Sequence, residues 1–377
     1  MKILIDATGV QKEKAGVGVY AKNLLDHLTC NAGDLEFFIL AQDDDRELDF
    51  GGRPQITMLW VPARFFRVLA LRFLLEQIYL PFLLLKLKIQ VVHSLHYAFP
   101  LITFGTRRVV TFHDMTFFTM PEVHERIKII YFRTFMRASI RMVDQMIFVS
   151  RSALEDCTVL LGLPHGHASV IPHGKGEEFR SDYPASRLRA VREKYGLKER
   201  FVLYIGTIEP RKNLSRLVEA FAGIARLDSE IQLVIAGKMG WKAEGLFARI
   251  EQLELASGIV FTGFIAEEDK APLLAACTVF VYPSLYEGFG LPALEALACG
   301  APTITSNTSS LPEVVGKAAL LVDPTSIEDL QAALERVLSS ADLQGELRQA
   351  GPERASHFTW EKTASLTAQV YRSRKSQ

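Results

Sequence analysis

This sequence of 377 residues has few cysteines, no excess charge of one sign and no repeats. Each of these absences excludes some classes of protein. Its four cysteines (Cys30, Cys157, Cys277 and Cys299) are far apart and form no Cys-x-x-Cys pair. This argues against a zinc site or a disulfide framework and favours a reduced, cytoplasmic protein. The formal net charge is zero, so no overall field attracts nucleic acid.

Long apolar runs are also absent. The most apolar stretch, residues 65–87, is interrupted by Arg72, Glu76, Gln77 and Lys86. No run reaches the roughly eighteen apolar residues that a transmembrane helix needs. We interpret the stretch as a pair of buried helices before a strand, and a membrane-contacting face is the alternative. The opening MKILIDATGV is predicted to form a strand rather than a signal peptide.

What the sequence does contain is a globular composition, 49% hydrophobic and 23% charged, over a length that suggests two domains. Short apolar runs without polar alternation are typical of strands covered on both faces, and here they alternate with helical segments. This pattern predicts a doubly wound parallel sheet. The predicted elements are strands at Lys2–Ala7, Leu35–Leu40, Gln90–Ser94, Arg108–Phe112 and Gln145–Val149, with a helix at Ala15–Thr29.

The same pattern restarts after a polar segment. We predict a first Rossmann-like domain at residues 1–182, a linker at 183–200, a second Rossmann-like domain at 201–355 and a C-terminal helix within 356–377 that packs back on the first domain. Two such domains would face a central cleft, where the carboxyl ends of their strands bind ligands. The second set of predicted elements is Phe201–Gly206, Gln232–Ala236, Ile259–Thr262, Val279–Tyr282, Pro302–Ser306 and Ala319–Val322 as strands, with a helix at Leu214–Ile224.

Two motifs follow the first strands of the two domains. Gly16-Val17-Gly18 opens the first helix, where glycines let a phosphate approach the helix N-terminus closely. A glycine turn without a ligand is the alternative. In the second domain, Gly206-Thr207-Ile208-Glu209-Pro210-Arg211-Lys212-Asn213 lies between a strand and a helix. Arg211 and Lys212 would place two cations there, which suits a diphosphate.

The third motif is the most informative. After the strand that ends at Tyr282 comes Pro283-Ser284-Leu285-Tyr286-Glu287-Gly288-Phe289-Gly290-Leu291-Pro292, and Glu295 follows in the next helix. A retaining glycosidase needs its two carboxyl groups about 5 Å apart. Carboxylates at the two ends of a bound ligand fit the spacing of Glu287 and Glu295 better. Each could accept hydrogen bonds from sugar hydroxyls.

With these residues in hand, the chain resembles glycosyltransferase family 4, a retaining group with the GT-B fold, and within it the bacterial mannosyltransferases of surface polysaccharide synthesis. GTIEPRKN and EGFGLPALEALACGAPTITSN carry most of the resemblance, with Glu287 and Glu295 in the family's Glu-x7-Glu spacing. The resemblance implies a GDP- or UDP-hexose donor and a glycan or lipid-linked glycan acceptor. It implies no cofactor. Apart from Asp43–Asp45, no carboxylate cluster in the sequence indicates a required metal ion, and the zero net charge argues against nucleic acid as a partner.

The resemblance also assigns roles. Glu287 would hold the donor sugar and Glu295 the ribose, while Arg211 and Lys212 would neutralise the departing diphosphate. In the first domain, which would bind the acceptor, His113 at a strand end would be the active-site histidine. The other donor contacts it implies are Gly16 and Gly288 to the phosphates or sugar, together with Phe289, Gly290 and Leu291, and Gly263 and Phe264 near the base.

Three other interpretations remain open. The pattern with Gly16 also fits a nicotinamide oxidoreductase, although that class does not need the motifs of the second domain. A nucleotide-sugar epimerase shares the fold, and a catalytically silent sugar-nucleotide-binding subunit would share the site.

Asp43-Asp44-Asp45 resembles the metal-binding Asp-x-Asp of a different glycosyltransferase fold, but it lies among charged residues and we interpret it as a solvated loop.

Charge is distributed unevenly along the chain. Between Arg53 and Met142 there are thirteen basic and four acidic residues, so 13 − 4 gives +9 in a protein of zero net charge. Arg133, Arg137 and Arg141 recur every four residues and would share one helical face. Two interpretations follow: a solvated basic helix, or a surface that holds the protein on the anionic inner face of the membrane, where each well-placed cation contributes roughly 1 kcal/mol.

Overall fold

The structure, a computed structural model, describes residues 1–10, 16–30, 33–162, 166–241 and 243–373. The chain forms two compact units. Unit 1 contains Met1–Gly174 and the chain from Thr359 onward, and unit 2 contains Lys175–Phe358. The segment predicted as a linker, 183–200, lies in unit 2 and contains a helix at Ala185–Lys194.

Unit 1 is built on a parallel sheet that has seven strands within the described residues. In chain order they are β1 (Lys2–Asp6), β2 (Glu36–Gln42), β3 (Ile56–Val61), β4 (Val91–Ser94), β5 (Arg107–Phe112), β6 (Gln145–Phe148) and β7 (His167–Val170). Their order in the sheet is β3-β2-β1-β4-β5-β6-β7, so the direction of winding reverses between β1 and β4. Ile3, Leu4 and Ile5 of β1 have no exposed surface, as expected for a strand covered on both faces.

Unit 2 has a second parallel sheet, with six strands among the described residues. They are β8 (Phe201–Ile205), β9 (Gln232–Ala236), β10 (Ile259–Gly263), β11 (Val279–Tyr282), β12 (Thr303–Ser306) and β13 (Leu320–Val322). The order β10-β9-β8-β11-β12-β13 reverses between β8 and β11. Both sheets therefore follow the doubly wound nucleotide-binding arrangement, in which ligands bind beyond the carboxyl ends of the strands at the reversal.

Helices connect most of the strands in both units; β2 and β3 are joined through a 3-10 helix, Arg46–Leu48, and β4 and β5 by a loop. In chain order they are α1 (Val17–Cys30), α2 (Ala63–Phe66), α3 (Leu69–Leu74), α4 (Leu80–Leu87), α5 (Thr116–Thr119), α6 (Arg126–Met142), α7 (Arg151–Leu161), α8 (Ala185–Lys194), α9 (Leu214–Leu227), α10 (Glu244–Gln252), α11 (Glu267–Ala276), α12 (Leu291–Ala298), α13 (Leu311–Val315), α14 (Ile327–Ser339), α15 (Ala341–Ala355) and α16 (Trp360–Arg372). A π-helical segment, Leu75–Tyr79, joins α3 to α4. Among the described residues, no helix has both the length and the apolar composition needed to cross a bilayer.

The last helix belongs to unit 1. Helix α16 packs against α1, and the Tyr371 hydroxyl lies 2.6 Å from Nδ1 of His93 on β4. The Tyr371 ring also contacts Phe37 of β2 edge to face. These buried contacts attach the end of the chain to the first sheet, and residues 374–377 lie outside the described part.

Several elements differ from those predicted. Strands β3 and β7 were not predicted, and α1 begins at Val17, with the predicted helix residue Ala15 outside the described residues. The prediction of a buried helix pair at 65–87 is only half right. Helices do form there, and Leu80, Leu83 and Leu84 are buried, but many of the remaining large apolar side chains of the segment are exposed. The cause is that the sheet covers one side of the helices only.

Candidate active site

The two motifs of unit 2 meet because their strands are neighbours. The loop after β8 carries Arg211 and Lys212, the loop after β11 carries Glu287, and β8 and β11 pair in parallel at the reversal of the sheet. The amide of Leu285 donates to the carbonyl of Arg211 over 2.9 Å. Asn213 joins the loops again, since its Nδ2 donates to the carbonyl of Pro283.

Lys212 and Glu287 form a buried ion pair at the centre of this site. Nζ of Lys212 donates to Oε1 of Glu287 over 2.5 Å and to the hydroxyl of Tyr282 over 2.6 Å. The Tyr282 hydroxyl in turn donates to the same carboxylate oxygen over 3.0 Å. Tyr282 is the last residue of β11, so the rigid sheet fixes both partners.

Arg211 holds the other side of the carboxylate. Its Nη1 lies 3.1 Å from Oε2 of Glu287 and donates to the carbonyl of Tyr286 over 2.7 Å. Its Nε and Nη2 donate to Oε1 of Glu209, at 3.1 and 2.8 Å. Arg211 therefore bridges two carboxylates and is held in place by its own loop.

The charge state of Glu287 follows from these neighbours. Burial alone would raise the pKa of this carboxyl, but the positive charges of Arg211 and Lys212 outweigh it and lower the pKa to about 2. Glu287 is thus ionised at neutral pH. The cluster presents two basic side chains and two carboxylates, Glu209 and Glu287, at the place where the fold binds anions and sugars.

The glycine-rich loop leads directly into a helix N-terminus. Gly290 adopts a left-handed conformation with φ of 103° and precedes α12, and a Cβ atom there would lie 2.7 Å from the side chain of Leu311. Pro292 occupies the first turn of α12. The Ser310 hydroxyl donates to the carbonyls of Glu287 and Phe289 and so fixes the loop. Together with Gly288 and Leu291, these residues place a helix N-terminus beside the ion cluster.

Glu295 has a separate cationic partner. It lies on α12, is buried, and its Oε2 is 2.7 Å from Nζ of Lys270 on α11. Lys270 also lies over the ring of Phe179, 5.2 Å from its centroid. Burial raises the pKa of Glu295 despite the opposing effect of Lys270. The second carboxylate of the Glu-x7-Glu pair therefore belongs to a different cluster from Glu287.

The two residues predicted near the base lie at the edge of the same sheet. Gly263 ends β10 with φ of 67°, and its carbonyl accepts a hydrogen bond from the amide of Gly237. Phe264 follows it and is 80% exposed. Strand β9 separates β10 from β8, so this position is further along the sheet edge from Arg211 and Lys212.

In unit 1, His113 directly follows β5 and is buried. Its Nε2 donates to the carbonyl of Leu95 over 2.8 Å, which leaves Nδ1 as an acceptor. The ring lies near those of Tyr20, His96 and His173, at 5.0, 6.1 and 6.0 Å between centroids. Burial lowers the pKa of His113, although the Leu95 carbonyl opposes this, so the imidazole is neutral at neutral pH.

Other polar groups of unit 1 lie at the end of β4. The Ser94 hydroxyl and Nδ1 of His96 are buried, and neither finds a hydrogen-bond partner in the part of the chain that the structure describes. Both line a recess with Asp6 and Gly9, at the reversal between β1 and β4. Gly16 precedes α1 with φ of 42°, and apart from its chain neighbours no atom of the described residues lies within 4 Å of the position a Cβ would take.

Some partners in the site were not predicted from the sequence. Tyr282 could have been found, because it ends a strand beside the loop that carries Glu287. Glu209 lies within the predicted motif but was not recognised as the partner of Arg211. Lys270 lies in a different helix from Glu295, and no local pattern connects the two.

The acidic loop at Asp43–Asp45 has structural partners. Asp43 accepts a hydrogen bond from the amide of Ala63, and Asp44 pairs with Arg67. Across the described ranges, no group of three or more histidine, cysteine, aspartate or glutamate side chains has the arrangement of a metal site. The interpretation of this loop as unrelated to metal binding stays a prediction.

Two doubly wound sheets, one with a buried cluster of ion pairs at its reversal, define an α/β protein of the nucleotide-binding type. Residues 15–175 match the family described as Glycosyltransferase Family 4, and residues 189–354 match the family described as Glycosyl transferases group 1. The chain is 33% identical over 269 residues to the O-antigen chain mannosyltransferase B of Escherichia coli, which covers 71% of this chain and 70% of that protein.

A second relative has a similar description, and a solved structure has the same fold. The chain is 34% identical over 238 residues to the serotype-specific mannosyltransferase WbdA of Escherichia coli, an alignment that covers 62% of this chain and 29% of WbdA. Sucrose-phosphate synthase from Thermosynechococcus elongatus has the same fold, with a TM-score of 0.78, 22% identity and 98% of both chains covered. The chain belongs to glycosyltransferase family 4 and has the GT-B fold; it is a glycosyltransferase similar to bacterial mannosyltransferases.

Proposed function

We propose that this glycosyltransferase transfers mannose from GDP-mannose to a growing, lipid-linked polysaccharide, with retention of configuration at the anomeric carbon. The observation that carries the proposal is the cluster of Arg211, Lys212 and Glu287 at the reversal of the second sheet. The names of the Escherichia coli relatives support mannose as the sugar and an O-antigen type of chain as the acceptor.

The donor would bind along the carboxyl edge of the second sheet. Arg211 and Lys212 would turn part of their charge from Glu287 to the diphosphate, and the helix N-terminus at Gly288–Leu291 would add backbone dipoles. Glu287 would accept hydrogen bonds from the mannose hydroxyls, and Glu295 from the ribose. Gly263 and Phe264 would contact the base, chiefly through the backbone.

The chemistry requires stabilisation of charge as the donor breaks. The bond between the anomeric carbon and the phosphate oxygen breaks, a bond to the acceptor oxygen forms on the same face, and the departing phosphate oxygen takes the acceptor proton. Arg211 and Lys212 are fixed cations where negative charge develops, which is the most effective placement for lowering the barrier. The ionised Glu287 would favour the positive charge that develops on the sugar.

The acceptor would bind to unit 1. Neutral His113 can accept a hydrogen bond at Nδ1, and the buried Ser94 hydroxyl and His96 ring nitrogen could bind sugar hydroxyls. The role of Gly16 against the diphosphate stays a prediction from the family resemblance. Since the acceptor is lipid-linked in this proposal, the enzyme would work on the cytoplasmic face of the inner membrane.

A panel of donors tests the proposal. The purified chain is mixed with GDP-mannose, GDP-glucose, UDP-glucose, UDP-galactose, ADP-glucose and dTDP-glucose, and thermal unfolding is measured. The largest upward shift is expected with GDP-mannose. The best donor is then incubated with a mannose oligosaccharide, and the product linkage is read by NMR.

Three outcomes would contradict the proposal. Preference for a uridine or adenosine donor would exclude GDP-mannose. Conversion of the donor to a different nucleotide sugar without transfer would identify an epimerase. Tight donor binding with no product from any acceptor would identify a silent binding subunit.

A further inference from the structure

The segment between β3 and β4 exposes apolar side chains on its outer side. Ile78 and Phe82 are 67% and 62% exposed, although both belong to ordered helical turns. The other large apolar side chains of this segment that are at least one-third exposed are Phe65, Val68, Leu71, Phe73, Leu74, Tyr79 and Leu85.

This exposure is unusual because the helix is apolar on both sides. Leu80, Leu83 and Leu84 already fill the core beneath it. On the outside, Leu74, Ile78, Phe82 and Leu85 recur at intervals of four, four and three residues, which places them in one stripe along the helix. A helix at the surface of a soluble protein normally carries polar residues on that side. Contiguous apolar surface of this kind marks a site of interaction.

Neighbouring elements widen the apolar surface. Helix α6 packs alongside, since the Tyr131 hydroxyl donates to Oε2 of Glu76 over 2.7 Å, and it exposes Ile127 and Ile130, the latter by 70%. The loop after β4 is also held here, because the amide of Leu101 donates to Gln77. Its next apolar residues, Ile102 and Phe104, are exposed as well. We call the exposed side chains of 65–85, with these four, the apolar face.

The charges around the apolar face are mostly positive. The exposed basic residues Arg64, Lys86, Lys88 and Arg126 flank it in the chain. Two exposed acids, Glu122 and Glu125, precede α6, and Glu125 pairs with Lys128. The one acidic side chain within the helical segment, Glu76, is buried and paired with Arg72, so it contributes no negative charge to the surface. Apolar side chains with a cationic rim complement a bilayer that contains anionic lipid.

The structure also changes which basic residues are expected to contact anionic lipid. Arg133, predicted to lie on a basic face with Arg137 and Arg141, is only partly exposed. Its Nε donates to the carbonyl of Phe117, and the guanidinium groups of Arg133 and Arg137 both lie over the ring of Phe118. Two of the three arginines are therefore engaged within unit 1, and the residues beside the apolar stripe are better placed to meet lipid.

We propose that the apolar face docks unit 1 on an anionic bilayer, with Ile78 and Phe82 entering the boundary between headgroups and acyl chains. This rests on the proposed function, because a lipid-linked acceptor places the substrate at that surface. From Leu74 to Leu85 the stripe is about 17 Å long at 1.5 Å per residue, which is three helical turns that can lie in the plane of the interface. A second copy of the chain is a poorer occupant, since a two-fold contact would place each cationic rim against another.

Sedimentation with liposomes tests the proposal on the full chain. Vesicles of phosphatidylcholine alone are compared with vesicles containing one-third phosphatidylglycerol. The wild type should bind the anionic vesicles, more weakly as salt rises. Ile78→Ser with Phe82→Ser should reduce the partition coefficient at least tenfold, and Arg64→Gln with Lys86→Gln should remove the preference for anionic lipid. Val159→Ser is the matched control, because Val159 is 84% exposed on α7 of the same unit.

Failure to bind either vesicle, or equal binding by the double serine variant, would overturn the proposal. So would a wild-type dimer in sedimentation velocity that the serine variant makes monomeric, since the face would then be a contact between copies. A soluble mannose acceptor separates this from the proposed function. The serine variant should transfer to it at the wild-type rate, whereas a wild type that binds vesicles but never transfers mannose would refute only the function.

Discussion

Lys212 and Glu287, seventy-five residues apart in the chain, form a buried ion pair with 2.5 Å between Nζ and Oε1. The pair joins the two loops that the family resemblance assigns to diphosphate and sugar. In the free enzyme each charge is therefore neutralised by a group that would otherwise contact the donor. The pair holds both side chains in place before the donor arrives.

This pair should be strongly coupled in stability. Glu287→Gln alone should lower the free energy of unfolding by about 3 kcal/mol, because it leaves buried cations without their counter-charge. Lys212→Met alone should also destabilise. The double variant should lose less than the sum, and a urea unfolding cycle measures the difference. Additive losses would mean that the pair contributes no coupling energy.

The low pKa of Glu287 predicts an acid-sensitive fold. With a folded pKa of about 2 against an ordinary value of 4.5, the carboxylate contributes stability that is present above pH 4.5 and lost as the pH falls towards 2. The free energy of unfolding of the wild type should therefore fall between about pH 5 and pH 3 more steeply than that of Glu287→Gln. Parallel pH curves for the two proteins would show that Glu287 is not the group responsible.

The cations should control binding of the leaving group. Replacing Arg211 and Lys212 together with alanine should weaken binding of both the donor and the free nucleoside diphosphate at least tenfold, since hydrogen bonds to charged groups contribute about 1.5–3 kcal/mol each. Calorimetry with GDP and GDP-mannose measures both affinities. Guanosine, which carries no phosphate, is the control and should bind equally to both proteins. An unchanged affinity for GDP would rule out this phosphate site.

Replacing each of the two carboxylates should change a different kinetic constant. Glu287→Gln should lose most transfer activity because it removes a negative charge beside the developing positive charge on the sugar. Glu295→Gln should mainly weaken nucleotide binding, because the resemblance places Glu295 at the ribose. Steady-state kinetics separates the two, as a loss of kcat in the first and a rise of KM for the donor in the second. Near-wild-type turnover in both variants would contradict the assigned roles.

Transfer should not require a divalent metal. In the proposed mechanism Arg211 and Lys212 would neutralise the diphosphate in place of a metal ion, so EDTA should leave the rate largely unchanged. The measurement is initial rate with and without EDTA on protein first dialysed against it. Loss of activity that Mn²⁺ restores would refute the metal-free mechanism.

Much of this fold was predictable, and the exceptions have physical reasons. The predicted strands are those with continuous apolar runs, because central strands are covered on both faces. The two that escaped prediction, β3 and β7, lie at the edges of the first sheet, and their residues are mostly half-buried or exposed. An edge strand needs fewer apolar residues, and β7, with the sequence HASV, therefore resembles a loop. Strand β3, ITMLWV, is mostly apolar, so for β3 this reason does not apply.

The identity of the site residues could be predicted from the sequence, but the contacts among them mostly could not. Arg211, Lys212 and Glu287 were expected around one ligand, but that they bind each other depends on β8 and β11 being neighbours. The pairing of Glu295 with Lys270 depends on the packing of α11 against α12, for which the sequence holds no local signal. Similarly, the apolar pattern of residues 65–87 predicts helices without indicating that one side stays uncovered.

The return of α16 to unit 1 affects how the protein is made. The first sheet buries His93 and Phe37 against Tyr371, so its core is not closed by residues 1–174 alone. A ribosome delivers that last helix only after all of unit 2 has emerged. Until then the core of unit 1 stays incomplete, with an apolar groove open beside α1, whereas unit 2 can complete its folding first. The order of folding would run against the order of synthesis.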